Sequence, residues 1–469
     1  MRIAWCSPLP PYATGVADYS AGLIPELAKR VELEVFAPGD PGSDLDARPL
    51  SGLRDGSDHD AVLYHLGNNL PAHGEIYRVA LRRPGIVVLH EYMLHDLVRG
   101  LALADSPDAY LEEMRYSYGN GGLRTGRRFL EIGAGLDLWA YPLFERVVDS
   151  GRGVIVHNET ARRRILAARP QAAVEVVPHY LPPLSAGASS STARLRNKLG
   201  LPERGLIVAA FGSVSQVKRM DVALRGFAAL RRRRDDAVFL LVGDGRPLPG
   251  LTSLLSSDLG RGVVATGRVD EQGFKDAMRV TDLAINLRYP VGGESSGTLV
   301  RLMGLGKPVI VSDAGSFSEI PDGCCARIAV DHDEELNLAA CLLTLAGDEA
   351  LRRDIGNAAR AWIEARAAMP HCLDAYESAI RKISRVAFRP AAAVPPLAPY
   401  PAGDVGTRLI ADVAAGLEDL GVPPDDDVLL REIARTLTDL KLNGPGPLAA
   451  VPDSWQDGRR SAAVRRSRE

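Results

Sequence analysis

A turn of small polar residues surrounds one glutamate in the C-terminal half of the chain. It reads NLRYPVGGESSGTLVRLMGLGKP from Asn286 to Pro308, and Glu294 precedes a helical stretch that carries Arg301 and ends at Gly306. Glycines allow close approach to the backbone, the free amides of a helix start favour anions, and a carboxylate accepts hydrogen bonds from hydroxyls. The turn predicts a polar-ligand site, against the alternative of an ordinary strand-turn-helix unit.

Basic residues follow other strands of the same half. Lys218 and Arg219 lie between the strand GLIVAAFGS and the next helix, and Arg288 follows the strand AINL. The carboxyl ends of parallel strands meet at one edge of a sheet, where ligands bind. Gly243 and Arg268 follow two further strands and are expected at that edge. Cations there would suit a diphosphate leaving group, whereas the alternative for Lys218 is a solvated lysine at a helix start.

The N-terminal half carries its polar residues at equivalent places. The loop SPLPPYATGVADYS brings Gly15 to the start of the first helix, where amides could face an anion, and it lacks a GxGxxG fingerprint. The strand GIVVLHEY delivers His90 and Glu91 to its carboxyl end, and His95 follows. His90 could donate to a substrate hydroxyl or satisfy a buried carbonyl. We expect no metal site, because these residues offer no third matching ligand.

Composition excludes several classes of protein. The 469 residues are 46% hydrophobic and 25% charged with a net charge of −3, which is ordinary for a globular protein and gives no attraction to nucleic acid. The five cysteines show neither a disulfide framework nor metal-ligand spacing, which predicts reduced thiols and a cytoplasmic location. No apolar run approaches the ~18 residues of a membrane span, so any membrane contact is expected to be peripheral at the inner face.

Strand-length apolar runs alternate with amphipathic stretches through most of the chain, which predicts an α/β fold of two doubly wound parallel sheets. The predicted organisation is an N-terminal Rossmann-like domain over 1–184, a linker over 185–193 and a C-terminal domain over 194–370. A helix over 371–388 returns towards the first domain. The segment 389–469 is rich in proline and alanine at its start, carries helical patterns over Val405–Leu420 and Asp425–Leu442, and ends in a basic tail expected to be disordered.

In these features the chain resembles the retaining glycosyltransferases of family 4, which have the GT-B architecture of two facing Rossmann-like domains. The resemblance spans about Met1 to Arg385 and rests on the order and spacing of GVADYSAGLIPELA, VIVHNE, RNKLGLPERGLIVAAFGSVSQVKRMDVALRGFAAL, LLVGDG and GLGKPVIVSDAGSFSEI. It implies metal-independent transfer of a sugar, with retention, from a GDP- or UDP-linked nucleotide sugar and without a cofactor. The donor is expected on the C-terminal domain and the acceptor on the N-terminal domain, with a cleft that closes between them.

The resemblance also implies roles for single residues. Lys218 matches the lysine that contacts the donor diphosphate, Gly15 a first-loop glycine near the phosphates, and His90 a histidine near the transferred sugar. Glu294 lies close to the first of two motif glutamates. We predict catalytic roles for His90, Lys218 and Glu294. The predicted donor-binding residues are Gly15, Gly212, Ser213, Lys218, Arg219, Gly243, Arg268, Arg288, Glu294, Ser295, Ser296, Gly297 and Arg301.

Two positions depart from the family pattern. Ser213 stands after Gly212 where an arginine is usual, and Arg301 stands where the second motif glutamate, commonly a ribose ligand, is expected. Glu294 is one position out of register. We hypothesise that Arg288 or Arg301 replaces the missing cation, so that the two departures form one compensated change.

The leading interpretation is a hexosyltransferase that acts on a hydroxyl of an unidentified glycan, lipid or small molecule. One alternative is a GT-B nucleotide-sugar epimerase, which needs an acid and a base carboxylate facing one sugar; the sequence shows no such pair. The other is a catalytically degenerate GT-B module that contacts a protein partner through the C-terminal helices. The departures at Ser213 and Arg301 keep this last alternative open.

Overall fold

A computed structural model of the protein describes residues 1–39, 45–54, 58–133, 137–183, 192–212, 214–244 and 250–388, with the isolated residues 432, 435 and 436. These residues fall into two compact units. The larger comprises Met1–Leu101 and Leu138–Ala391 and contains both sheets, and the other includes Ala102–Asp137. Most of the predicted linker, the first predicted C-terminal helix and all but three residues of the second lie outside the described residues.

The N-terminal sheet has seven parallel strands in the order β3-β2-β1-β4-β5-β6-β7, so the strand order reverses between β1 and β4. Each strand is a short apolar run, and helices separate most of the strands along the chain. The strands are β1 (Arg2–Cys6), β2 (Glu32–Ala37), β3 (Arg48–Pro49), β4 (Ala61–Leu66), β5 (Ile86–Leu89), β6 (Gly153–Val156) and β7 (Val174–Val176). The helices are α1 (Gly15–Leu27), α2 (Leu70–Arg82), α3 (His95–Asp105), α4 (Pro107–Ile132), α5 (Glu145–Ser150) and α6 (Glu159–Ala168).

The C-terminal sheet has six parallel strands in the order β10-β9-β8-β11-β12-β13, so its order reverses between β8 and β11. Its strands are β8 (Ile207–Phe211), β9 (Val238–Val242), β10 (Val263–Gly267), β11 (Leu283–Asn286), β12 (Val309–Ser312) and β13 (Ala326–Ile328). The helices are α7 (Thr192–Lys198), α8 (Met220–Arg231), α9 (Leu251–Ser256), α10 (Glu271–Val280), α11 (Gly297–Gly304), α12 (Glu334–Gly347), α13 (Glu349–Ala367) and α14 (Met369–Ser384). The prediction of two doubly wound parallel sheets is confirmed.

The last helix, α14, packs against the N-terminal sheet. Tyr376, Ile380 and Ile383 are buried in the same apolar cluster as Ile3, Trp5 and Val88 of that sheet. The hydroxyl groups of Tyr376 and Tyr19 lie 2.9 Å apart in this cluster. The chain therefore crosses back to its first domain at α14.

The structure describes the state of the cysteines and the character of the helices. The five cysteines are free thiols. Among the helices of the described ranges, none combines the length and the apolar character that crossing a membrane requires.

Removal of one apolar side chain from α14 is expected to weaken the fold. Ile380 is fully buried, so Ile380→Ala should lower the free energy of unfolding in urea by about 2 to 5 kcal/mol. Arg381→Ala, on the exposed face of the same helix, should change it by less than about 0.5 kcal/mol. Equal effects of the two variants would contradict the packing of α14 on the sheet.

Candidate donor site at the edge of the C-terminal sheet

Lys218 and Arg288 converge where the strand order of the C-terminal sheet reverses. Lys218 ends a short 3-10 turn after β8 and donates a hydrogen bond of 3.1 Å to the carbonyl of Phe211. Arg288 follows β11, the neighbour of β8 in the sheet. Burial, and then the charge of Arg288, lower the pKa of Lys218 to about 7. The crevice at a reversal point is the usual ligand site of an open parallel sheet, and here it holds two cations.

Glu294 folds back onto its own turn. Its Oε1 accepts a hydrogen bond of 2.9 Å from Nη1 of Arg288, and its Oε2 accepts one of 2.7 Å from the amide of Gly292. Ser316 Oγ donates to the carbonyl of Glu294 at 2.7 Å. Arg288 retains a buried Nε without a hydrogen-bond partner. The carboxylate of Glu294 thus orients the guanidinium of Arg288 and stabilises its own turn.

The glycines after β8 and β9 permit a close backbone approach. Gly212 has φ 86°, and a methyl group there would lie 2.7 Å from Nζ of Lys218. Gly243 has φ 140°, and a methyl group there would lie 2.3 Å from the carbonyl oxygen of Gly212. Ser213 lies outside the described residues. Gly212 is therefore favoured by its left-handed backbone, and Gly243 is required by its close packing on the backbone of Gly212.

The other predicted cations lie in different contacts. Arg219 has a left-handed backbone (φ 50°) and forms an ion pair with the buried Glu334 of α12. Arg301 pairs with Glu271 of α10 at 3.0 Å. Of the two arginines proposed to replace the cation missing at Ser213, Arg288 is the one that acts on Lys218.

Gly15 and Arg268 lie on exposed edges. Gly15 begins α1 and has open space around the position of an added methyl group. Arg268 is exposed after β10. Burial raises the pKa of Asp18 in α1, and the charges of Arg301 and Arg268 oppose that rise. The first helix of the N-terminal domain therefore faces these two arginines.

The start of α11 faces the N-terminal domain. Ser296 caps the helix by accepting a hydrogen bond of 3.2 Å from the amide of Leu299. Asn158, which follows β6, donates to Ser295 Oγ at 3.1 Å. A methyl group at Gly297 would lie 3.2 Å from His179 Nε2. The predicted residues Ser295, Ser296 and Gly297 thus lie at the contact between the two sheets.

His90 belongs to a chain of histidines at the edge of the N-terminal sheet. His157 Nδ1 lies 2.9 Å from the carbonyl of Val177 and therefore donates to it. The other nitrogen of neutral His157 accepts from Nδ1 of His90 at 3.2 Å, and His90 Nε2 accepts from Nδ1 of His65 at 3.0 Å. One carbonyl thereby sets three tautomers, and His65 Nε2 is buried without a hydrogen-bond partner. Both ring nitrogens of His90 are engaged, so neither is directed to a sugar in this conformation.

Burial keeps these imidazoles uncharged. It lowers the pKa of His157 to about 4 and that of His90 well below its ordinary value, where neighbouring histidines add to the effect. His73 donates to the carbonyl of His65 at 3.1 Å, and burial lowers its pKa to about 4. The site therefore contains a neutral polar surface on its N-terminal side at pH 7.

Glu91 and His95 make hydrogen bonds that do not involve His90. Glu91 accepts a hydrogen bond of 2.8 Å from the amide of Asn68, and burial followed by the charge of Glu294 raises its pKa to about 7. His95 lies 2.6 Å from the carbonyl of Tyr141, which gives it a structural role. The structure thus brings Glu91 near Glu294, a pair of carboxylates that the sequence analysis missed.

His65 and His157 were not predicted as site residues from the sequence. They share a sheet face with His90, because β4, β5 and β6 are neighbours and the pairs Leu66-Leu89 and Leu89-Val156 are in register. The detectable signal was a histidine at or just after the end of each of three apolar strands. Strand order was needed to use it.

The C-terminal sheet lies in a region that matches a known protein family. Residues 205–348 match the family model of glycosyl transferases group 1. This region is therefore similar to the group 1 glycosyl transferases. The match covers β8 to α12 and hence Lys218, Arg288 and Glu294, and the prediction of a GT-B chain resembling family 4 is confirmed.

Three individual proteins that resemble the chain share 16% to 25% of its residues over the aligned regions. A D-inositol 3-phosphate glycosyltransferase of Corynebacterium kroppenstedtii is 25% identical over 257 residues, which are 51% of this chain and 56% of the relative. The chain thus spans little more than half the length of this curated glycosyl transferase. Anabaena Alr3699/HepE, solved with UDP and glucose, superposes with a TM-score of 0.57 at 17% identity over 81% of this chain and 100% of that protein. WaaG, a glycosyltransferase of lipopolysaccharide biosynthesis, gives a TM-score of 0.53 at 16% identity over 82% and 100%. These two likenesses show the GT-B fold.

The neutral histidines predict a loss of stability in acid. Below about pH 6.5 the unfolded chain binds protons at its histidines, whereas folded His157 and His73 resist protonation down to about pH 4. Each of these two histidines should therefore lower the free energy of unfolding by about 2 kcal/mol when the pH is lowered from 7 to 5. His157→Gln should reduce that pH-dependent loss by about 2 kcal/mol in urea titrations at the two pH values.

The control is His332→Gln, at a histidine whose side chain is 88% exposed. It should reproduce the wild-type loss. Equal losses in wild type and His157→Gln between pH 7 and pH 5 would contradict the burial of a neutral imidazole at this position.

Proposed function

We propose that the protein transfers a hexose, with retention and without a metal, from a nucleotide diphosphate sugar to an acceptor hydroxyl. The observation that carries the proposal is the pair of Lys218 and Arg288 at the reversal point of the C-terminal sheet. Lys218 makes its hydrogen bond to a neutral carbonyl, and burial together with Arg288 lowers its pKa to about 7. A bound diphosphate would relieve this repulsion and stabilise the protonated amine.

The same pair suits the chemistry of transfer. As the bond to the sugar breaks, negative charge builds on the diphosphate, and cations already fixed beside it stabilise that charge more than they stabilise the intact donor. Arg288 is fixed by Glu294 at 2.9 Å, so in this proposal Glu294 acts through Arg288. Arg288 thereby takes the place of the cation absent at Ser213.

Retention, metal independence and the placement of the acceptor are taken from the resemblance to family 4. In that mechanism the acceptor attacks from the face that the diphosphate leaves, and the departing phosphate accepts the proton of the acceptor hydroxyl. UDP-linked sugars are the first donors to test, because a protein of the same fold was solved with UDP and glucose. GDP-linked sugars are the second.

Donor affinity should depend on the charge of Lys218. A nucleotide sugar keeps a constant diphosphate charge between about pH 6 and pH 9, whereas free Lys218 loses its proton near pH 7. By isothermal titration with UDP- and GDP-sugars, affinity should be level below about pH 7 and then fall by up to tenfold per pH unit. Lys218→Met should bind about 10- to 100-fold more weakly at pH 6, with a flat pH profile.

Lys29→Met is the matched control, since Lys29 is exposed in the turn after α1 and paired with Glu26. It should retain the wild-type profile. Failure of the folded wild type to bind every UDP-, GDP- and ADP-sugar would overturn the proposed donor, and a wild-type affinity independent of pH would overturn the role of Lys218.

A nucleotide-sugar epimerase is the second candidate, favoured by one observation. Burial, and then the charge of Glu294, raise the pKa of Glu91 to about 7, which is suitable for an acid or base near neutral pH. Incubation of the donor in deuterated water without an acceptor separates the two functions. An epimerase would return a deuterated stereoisomer of the intact nucleotide sugar, whereas the proposed transferase would return the donor unlabelled or hydrolysed with the nucleotide released.

A further inference from the structure

The turn that carries Glu294 is built against the N-terminal domain. The amides of Tyr92 and Met93 donate to the carbonyl of Gly292 at 2.7 and 3.3 Å. A methyl group at Gly292 would lie 2.8 Å from Cβ of Met93, and one at Gly293 would lie 2.2 Å from the ring of Tyr92. The two glycines are therefore required by a close contact between domains.

Asn158 binds both domains at once. Its Oδ1 accepts a hydrogen bond of 2.8 Å from the amide of Ala161 and so caps α6. Its Nδ2 donates to the carbonyl of Gly293 at 2.8 Å and to Ser295 Oγ at 3.1 Å, on the two sides of Glu294. The side chain is buried, with 3% exposure. The amide thus fixes both flanks of the Glu294 turn from the other domain.

Glu319 makes the reciprocal contact from the C-terminal domain. Its Oε1 accepts hydrogen bonds from the amide and the hydroxyl of Thr160 at 2.6 and 2.7 Å, and its Oε2 accepts from the amide of Glu159 at 3.2 Å. A carboxylate at the amino end of a helix also interacts favourably with the helix dipole. Helix α6 is therefore capped twice, once from each domain.

A pocket of about 70 Å³ borders these hydrogen bonds, and its lining includes Asn158, Ser295 and Glu319. Beside it, Gly292 and Gly293 pack closely against Met93 and Tyr92 of the other domain. Hydrogen bonds from Asn158 and Glu319, together with this close packing, therefore hold the two domains together at this place.

We propose that Asn158 and Glu319 are positioning residues that form a latch between the domains, defined by their contacts with the Glu294 turn and with the amino end of α6. The latch holds Glu294, and through it Arg288, in the orientation that the donor diphosphate requires. This inference rests on the proposed function for its consequence, but the latch itself is a property of the free protein. Separation of the domains would break the latch and release the turn.

The test is hydrogen-deuterium exchange in the full-length protein without ligand. Asn158→Asp keeps an oxygen to cap α6, because aspartate and asparagine are equally good caps, but its carboxylate cannot donate to the carbonyl of Gly293. Amides of residues 291–297 should exchange at least about tenfold faster than in wild type, which is the effect of a net loss of about 1.4 kcal/mol. Amides of β8 and β9 should be unchanged.

Asn69→Asp is the matched control. Asn69 caps α2 by accepting a hydrogen bond of 3.0 Å from Ala72, within the N-terminal domain. This variant should leave exchange at 291–297 at the wild-type rate. Glu319→Gln keeps the side-chain volume, removes the charge, and should raise exchange both at 291–297 and at the first amides of α6.

Exchange at 291–297 within twofold of wild type in folded Asn158→Asp would overturn the latch. If that variant does not fold, Asn158→Ser, which caps but is too short to reach Gly293, and Glu319→Gln are judged by the same threshold. The latch and the proposed function are tested separately. If the wild type binds UDP-glucose but the variant exchanges at the wild-type rate, the latch alone is overturned. If the variant exchanges faster but the wild type binds no nucleotide sugar, the latch is supported and the proposed function is overturned.

A positioning role also predicts how kinetics change. Since the latch orients Arg288 before the donor arrives, Asn158→Asp should raise the KM for the nucleotide sugar by about tenfold, and Asn158→Gln, which restores a donor, should recover part of the loss. A lower kcat with unchanged KM and no recovery would contradict this role.

Discussion

The ion pair between Arg288 and Glu294 is the interaction on which the site depends. It offsets the charge of the partly buried Arg288, so that Lys218 and Arg288 can converge at the edge of the C-terminal sheet before any anion is bound. Without the carboxylate the two cations would repel one another across a poorly solvated crevice, and the turn would lose its closing hydrogen bond from Gly292. When Lys218 is protonated, these three side chains carry one net positive charge, which suits the diphosphate of the proposed donor.

The N-terminal domain contributes a chain of neutral, hydrogen-bonded histidines to the candidate site. Its histidine chain is neutral and directional, because the carbonyl of Val177 sets the tautomer of His157 and each ring then sets the next. Both ring nitrogens of His90 and of His157 are engaged within this chain, so these imidazoles stay neutral beside the charged residues of the C-terminal sheet. The charged residues and the neutral residues of the candidate site therefore belong to different sheets, which meet at the turn around Glu294.

The local pattern was sufficient to predict the fold and the edge where the site lies. Apolar strands that alternate with amphipathic helices specify doubly wound sheets, and such sheets bind ligands at the carboxyl ends of their strands, which placed Lys218 and Arg288. The pairing of Arg288 with Glu294 was missed because it depends on how one turn folds back on itself. Glu294 was expected to bind the ligand, and in the structure its two carboxylate oxygens accept hydrogen bonds from Arg288 and from the amide of Gly292.

Contacts between the domains were the least predictable part. Gly292 and Gly293 were interpreted as room for a ligand, and the structure shows that Met93 and Tyr92 of the other domain occupy that room. Asn158 contributed to the family resemblance within VIVHNE, yet its bonds to Gly293 and Ser295 depend on a meeting of segments more than a hundred residues apart. Local periodicity carries no information on such contacts.

The central claim is that Lys218 and Arg288 bind the diphosphate of the donor. The most direct measurement is a crystal structure of the full-length protein with the nucleotide sugar that binds most tightly. The account predicts phosphate oxygens within hydrogen-bond distance of Lys218 Nζ and of the Arg288 guanidinium, with the Arg288-Glu294 ion pair intact. A nucleotide bound elsewhere, or a diphosphate that contacts neither cation, would contradict it.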